Sequence, residues 1–154
     1  MTIKPFYRRA TLAAALSVLV PITTAHAELG GTMTVAPAAS GDAPRPLFNG
    51  AVLERSSVDA GGTTINEYAS STGHIFAYAW QGPTMPDLPA LLGPYDAAYR
   101  AGAAANLAAA HNLHASRVAL PDVVVESGGQ MRSYVGRAWL PGALPAGVTP
   151  GDLH

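Results

Sequence analysis

The 154-residue chain has no cysteine. That excludes disulfides and a lipid anchor on a processed cysteine, so a packed core alone must hold the fold. Lysine is almost as scarce, with Lys4 the single example. From Glu28 onward there are six arginines against ten acidic residues, a net charge of −4 with histidine neutral. A surface so poor in cations offers no electrostatic footprint for nucleic acid or anionic lipid, and nucleic-acid binding is excluded on that ground. Long apolar runs are also missing. The run ATLAAALSVLV, residues 10–20, is about half the length a membrane-spanning helix needs. No later stretch is longer, so no membrane span is expected after residue 27.

What stands at the amino terminus is a three-part leader. Lys4, Arg8 and Arg9 give it a positive start, residues 10–20 an apolar centre broken by Pro21, and Ala25-His26-Ala27 a small-x-small cleavage site. This is the build of a secretory signal peptide, residues 1–27. Arg8-Arg9 fit the twin-arginine pattern poorly, and the ordinary export route is expected. The predicted location is periplasmic or secreted, after cleavage near Ala27. Residues 28–154 can bury one core and make one domain.

Residues 28–50 are rich in glycine, proline, alanine and serine, with Leu29, Met33, Val35, Leu47 and Phe48 as the only anchors. Little apolar area is available there to offset ordering entropy, so a flexible N-terminal arm is expected. The core domain is assigned to residues 51–140. Segments 52–58, 63–69 and 74–80 are separated by Asp59-Ala60-Gly61-Gly62 and Ser70-Ser71-Thr72-Gly73, both turn-formers, and read as an antiparallel meander. In HIFAYAW, residues 74–80, period two puts Phe76, Tyr78 and Trp80 on one face and Ile75, Ala77 and Ala79 on the other. Both faces are apolar, which predicts a central strand, with the small face receiving a helix.

Asp87 is the expected N-cap of that helix, with Pro89 tolerated in the first turn. Leu88, Leu91, Leu92, Tyr95 and Tyr99 follow at i, i+3, i+4, i+7 and i+11, and Gly93-Pro94 predicts a kink. Segments 118–119 and 122–126 read as strand, Ser127-Gly128-Gly129-Gln130 as a turn, and 131–140 as the last strand. The Pro/Gly-rich tail, residues 141–154, is expected to wrap loosely or hang free. The predicted class is α+β: an antiparallel sheet of about five strands in β-β-β-α-β-β order, with a kinked helix on one face.

Residues that could carry chemistry are few. His111 and His114 share a helical face, yet no cysteine, acidic residue or third histidine stands at ligand spacing nearby, so no metal is expected. Ser70, Ser71, Ser127 and Ser133 lie in no nucleophile-elbow pattern, and those in turns are explained by backbone bonding. Glu67 and Glu126 are far apart in sequence and read as solvent-facing strand residues rather than an acid–base pair. Gly61-Gly62 and Gly128-Gly129 precede no helix and have no lysine to reach a phosphate, which leaves them as hairpin turns. No catalytic residue and no cofactor is assigned. The aromatics are the best hint: Tyr78, Trp80, Tyr134 and Trp139 are amphipathic groups of the kind found at binding centres, and form the candidate interaction surface.

The segment EYASSTGHIFAYAWQGPTMPDLPALLGPY, with PDVVVESGGQMRSYVGRAWLPGALPAGV after it, resembles an uncharacterised family of exported proteobacterial proteins, domain of unknown function 2844. Its markers here are the FAYAWQGP strand end, the MPDL helix start and the ESGG…GRAWLP hairpin. The AGAAANLAAAHNLH region departs from the pattern and looks like a variable insert. The resemblance implies export and one compact domain, and implies no activity. The expected function is a non-enzymatic binding or accessory module of the cell envelope, its partner another exported or envelope protein or a small ligand. The alternative is a small secreted hydrolase without a recognisable motif.

Overall fold

In the computed structural model, residues 27–34, 43–110 and 115–154 are described. Residues 1–26, all but the last of the expected signal peptide 1–27, lie outside them. Seven antiparallel strands form one sheet: β1 (Arg45–Leu47), β2 (Val52–Val58), β3 (Thr64–Ser70), β4 (Ile75–Gly82), β5 (Ala115–Ala119), β6 (Val124–Gln130) and β7 (Ser133–Trp139). Their order is β1-β2-β3-β4-β7-β6-β5. A meander builds outward to β4. The helical segment then carries the chain to the far edge, and a second meander returns so that β7 pairs with β4 at the centre. The fold is the expected α+β class, with two strands more than predicted. One of them, β1, comes from the stretch read as arm, and β5 pairs as a separate strand before Pro121.

The turns follow the sequence at one end and depart from it at the other. Asp59 Oδ1 accepts the amides of Gly61 and Thr63, both at 2.8 Å, and Gly62 takes a positive φ of 83°. The β6–β7 hairpin instead turns at Met131-Arg132, with φ of 46° and 66°. Gly128 and Gly129 are inside β6, which corrects the predicted turn. Gly129 faces Tyr134 across the ladder, and a Cβ there would stand 2.5 Å from Tyr134 Cδ1. The glycine is needed for close approach of a ring, a common reason for glycine within a strand.

Helix α1 (Leu88–Leu92) is capped by the Asp87 side chain, which accepts from the Ala90 amide at 3.2 Å. A 3-10 turn at Gly93–Tyr95 kinks it into α2 (Asp96–Ala110). Leu88, Leu91 and Leu92 pack with Tyr78 and Trp80, so the helix docks on the aromatic face of β4 and not on its small face. A register shift between β3 and β4 also breaks the predicted aromatic face: Tyr68 opposes Ala77 while Ala69 opposes Ile75. Such a bulge puts two successive residues on one side. Phe76 therefore joins Ala77 and Ala79 on the far face and parts from Tyr78 and Trp80.

The second face is covered by the tail. Val148 and Leu153 are buried against Phe76, Ala77, Ala79 and Trp139. Arm residues Leu29 and Met33 are equally buried on the helix face, and the arm's backbone is held by Leu29 N to Leu91 O, Gly30 N to Ile75 O and Met33 N to Gly73 O at 2.8–3.0 Å. The two segments expected to be loose thus each cover part of one face of the sheet. Each brings a few apolar side chains to surface that would otherwise meet water, at about 25 cal/mol per Å² removed.

Candidate functional site

Beyond the tail, the second face of the sheet remains open over four strands. Three consecutive residues from each line a groove of about 610 Å³: Ala79–Gln81 of β4, Ala115–Arg117 of β5, Glu126–Gly128 of β6 and the stretch from Val135 to Arg137 of β7. Leu153 and His154 form its wall. By strand alternation the outer residues of each triplet present their side chains and the middle ones present backbone. Ala79, Ala115 and Gly128 are small, and the side-chain volume they lack leaves the hollow. A second hollow of about 370 Å³ lies on the other side of His154, against Thr64, Asn66 and Gln81.

The charged row across the groove is set by register. Arg117 opposes Glu126, Glu126 opposes Arg137, and Arg137 opposes Ala79. Glu126 Oε2 accepts from Arg137 Nε and Nη2 at 2.8 Å, and its Oε1 lies 3.3 Å from Arg117 Nε. Arg137 is fully engaged: its Nη1 donates to the Pro150 carbonyl, and its guanidinium carbon stands 5.6 Å from the Trp139 ring centroid. Arg117 meets Glu126 only through Nε, and its side chain is 64% exposed. It is the cation of this row with donor capacity facing solvent. In the next row Val135, opposite Gly128, is 55% exposed, a large apolar side chain lining the groove.

The wall is built, not draped. Thr149 donates from its amide and hydroxyl to Asp152 Oδ2 at 2.8 and 2.7 Å, which closes a 3-10 turn at Pro150–Asp152 and holds the Asp152 carboxyl below its usual range. The His154 carbonyl then accepts from Tyr68 Oη at 2.7 Å and Asn66 Nδ2 at 2.9 Å.

The four aromatics expected to form an interaction surface do not converge. Tyr78 and Trp80 are buried on the helix face, Tyr134 is half-buried, and Trp139 is buried on the opposite face beneath Arg137. Three of the four are core. Glu67 and Glu126 lie on opposite faces, so they form no carboxylate pair. Glu67 is 1% exposed, which corrects its reading as solvent-facing. It is paired with Arg55, whose Nη2 reaches both carboxylate oxygens at 2.9 Å. His74 meets Ser70 through its backbone: its amide donates to Ser70 Oγ at 3.3 Å and its carbonyl accepts from the Ser70 amide at 2.8 Å. His111 and His114 lie outside the described residues. Among the described residues no three His, Asp or Glu side chains gather as a metal site. Arg117 and Arg137 escaped sequence reasoning because neither sits in a motif; only the pairing of β5, β6 and β7 aligns them.

Residues 25–153 match the family described as protein of unknown function, DUF2844. The chain belongs to that family. No curated protein and no solved structure matches it. The DUF2844 span takes in the arm around Leu29, all seven strands and the tail through Leu153, so the segments that cover part of each face of the sheet are part of the family's domain.

Proposed function

We propose that this DUF2844 protein acts in the periplasm or the medium, after loss of residues 1–27, as a binding module, and that the groove over β4–β7 is where it binds. The ligand class is a small amphipathic acid: an apolar body on Ala79, Val135 and Leu153, and an anionic group at Arg117. The single observation carrying this reading is the exposed guanidinium of Arg117 at the rim of an apolar-floored groove of ligand size. Export is supported by the leader's three-part build.

The test is calorimetric titration of residues 28–154 with decanoate and with decanol as its uncharged counterpart. Decanoate should bind, decanol weakly, and Arg117→Gln should abolish the difference. Equal binding of both compounds, or no change in Arg117→Gln, would refute the assignment. Consumption of a decanoate ester by the wild-type protein would favour a hydrolase instead. Cell fractionation with intact-mass analysis checks export and the position of the cut.

A further inference from the structure

A polar row crosses the helix face of the sheet where only apolar side chains were expected. Arg55 of β2, Glu67 of β3 and Tyr78 of β4 are cross-strand neighbours. Glu67 and Tyr78 are buried and Arg55 is only 14% exposed at its side chain. Burial and the adjoining Glu67 carboxylate push the Tyr78 hydroxyl well above its ordinary pKa, so it is a phenol with a proton to donate. It donates to the backbone carbonyl of Ala27 and is also in hydrogen-bonding contact with the Glu67 carboxylate. The row also holds the arm at Thr34, whose carbonyl accepts from Arg55 Nη1 at 3.0 Å.

Ala27 and Glu28 flank the bond expected to be cut on export. Standard peptide dimensions put the Glu28 nitrogen about 2.3 Å from the Ala27 oxygen, and so within about 5 Å of Tyr78 Oη. Glu28 does not depend on Ala27 for its position. Leu29 N bonds Leu91 O at 2.8 Å, Gly30 N bonds Ile75 O at 3.0 Å, and Ile75 N bonds Gly31 O at 2.9 Å. Hydrolysis by a processing peptidase adds water across the bond, leaving a carboxylate on Ala27 and an ammonium on Glu28. Tyr78 Oη then loses the Ala27 carbonyl and keeps the Glu67 carboxylate as its acceptor, while a new cation appears beside it.

We propose that the row Arg55–Glu67–Tyr78 is a receptor for the chain's own amino terminus. The Glu28 ammonium donates to Tyr78 Oη, and Tyr78 turns its proton to Glu67. The arrangement rests on the export reading given above. It makes the mature end of the protein part of the fold: an ammonium beside a buried carboxylate and a phenol is a charge-assisted contact that the unprocessed chain cannot make.

The chemistry supplies its own probe. Lys4 leaves with the leader, so the Glu28 amine is the only primary amine in residues 28–154. An amine-reactive ester therefore labels that position alone. In native buffer, labelling of chain 28–154 should be roughly tenfold slower than in urea, because a bonded, charged amine reacts only when it is released. Tyr78→Phe and Glu67→Gln should restore fast labelling. Chain 27–154 keeps every side chain but moves the amine one residue outward, and should label fast while folded, which covers the case where either variant fails to fold. Equal native rates for 28–154 and 27–154 would overturn the proposal. A mature mass starting anywhere but Glu28 would overturn the processing step, while the labelling of 28–154 still decides whether the row holds an ammonium.

Discussion

The indole of Trp80 occupies the space a side chain at Gly136 would need. An ideal Cβ at Gly136 would lie 2.3 Å from Trp80 Cζ2 and 2.5 Å from Cε2, and the two residues are directly opposed across β4 and β7. Gly136→Ala should therefore destabilise by about 1–3 kcal/mol through overpacking, and Trp80→Ala by about 3–5 kcal/mol through the cavity it leaves. The double variant should cost less than the sum, since each removes the other's strain. Urea unfolding of the four proteins measures it. Strict additivity would show that the ring does not depend on the glycine.

The buried Arg55–Glu67 pair gives an asymmetric expectation. Glu67→Leu alone strands a guanidinium under the arm and should cost about 3–5 kcal/mol. Arg55→Met with Glu67→Leu removes both charges and should recover most of that loss. Thermal unfolding midpoints are the readout, and equal loss in single and double variants would contradict the pairing.

Two tyrosines should resist ionisation. Burial first, then the Glu54 carboxylate, raises Tyr68 to about 12, and Tyr78 is raised by burial and Glu67. A group whose folded pKa lies above its unfolded value near 10 contributes stability that is complete below that value. That contribution fades as pH rises toward the folded value. Stability should fall from about pH 10 upward, and ultraviolet titration of tyrosinate should show two residues ionising late, together with unfolding. Five tyrosines titrating at the ordinary value in residues 28–154 of a folded protein would count against it.

The β6–β7 turn places two ordinary residues, Met131 and Arg132, at positive φ, and Met131 is 93% exposed. Left-handed backbone costs such residues about 1–2 kcal/mol each, a cost that Asn-Gly largely avoids. Met131→Asn with Arg132→Gly should raise the unfolding midpoint and leave decanoate titration unchanged. A lower midpoint would mean that the native side chains contribute contacts outweighing the strain.

Local chemistry made much of this molecule legible. Asp59 and Gly62 specify their turn, Asp87 caps its helix, and Gly93-Pro94 breaks it, because each acts within a few residues of itself. The candidate site was not legible. Arg117, Glu126 and Arg137 become one row only when β5, β6 and β7 pair in register, and nothing near any of them announces the other two. The aromatic hint misled for a related reason: a ring's chemistry is the same at a binding surface and in a core, and only neighbours distant in sequence determine which it becomes.

By itself the sequence determined the composition limits, the Asp59–Gly62 turn, the Asp87 helix cap, the α+β class and the family. The tertiary structure decided three things that act over long separations. A one-residue bulge at Phe76 moved that ring to the face opposite Tyr78 and Trp80. Cross-strand register assembled the groove. The arm and tail were drawn onto the sheet because its two apolar faces had to be covered, and that demand belongs to the assembled sheet, not to the segments that meet it.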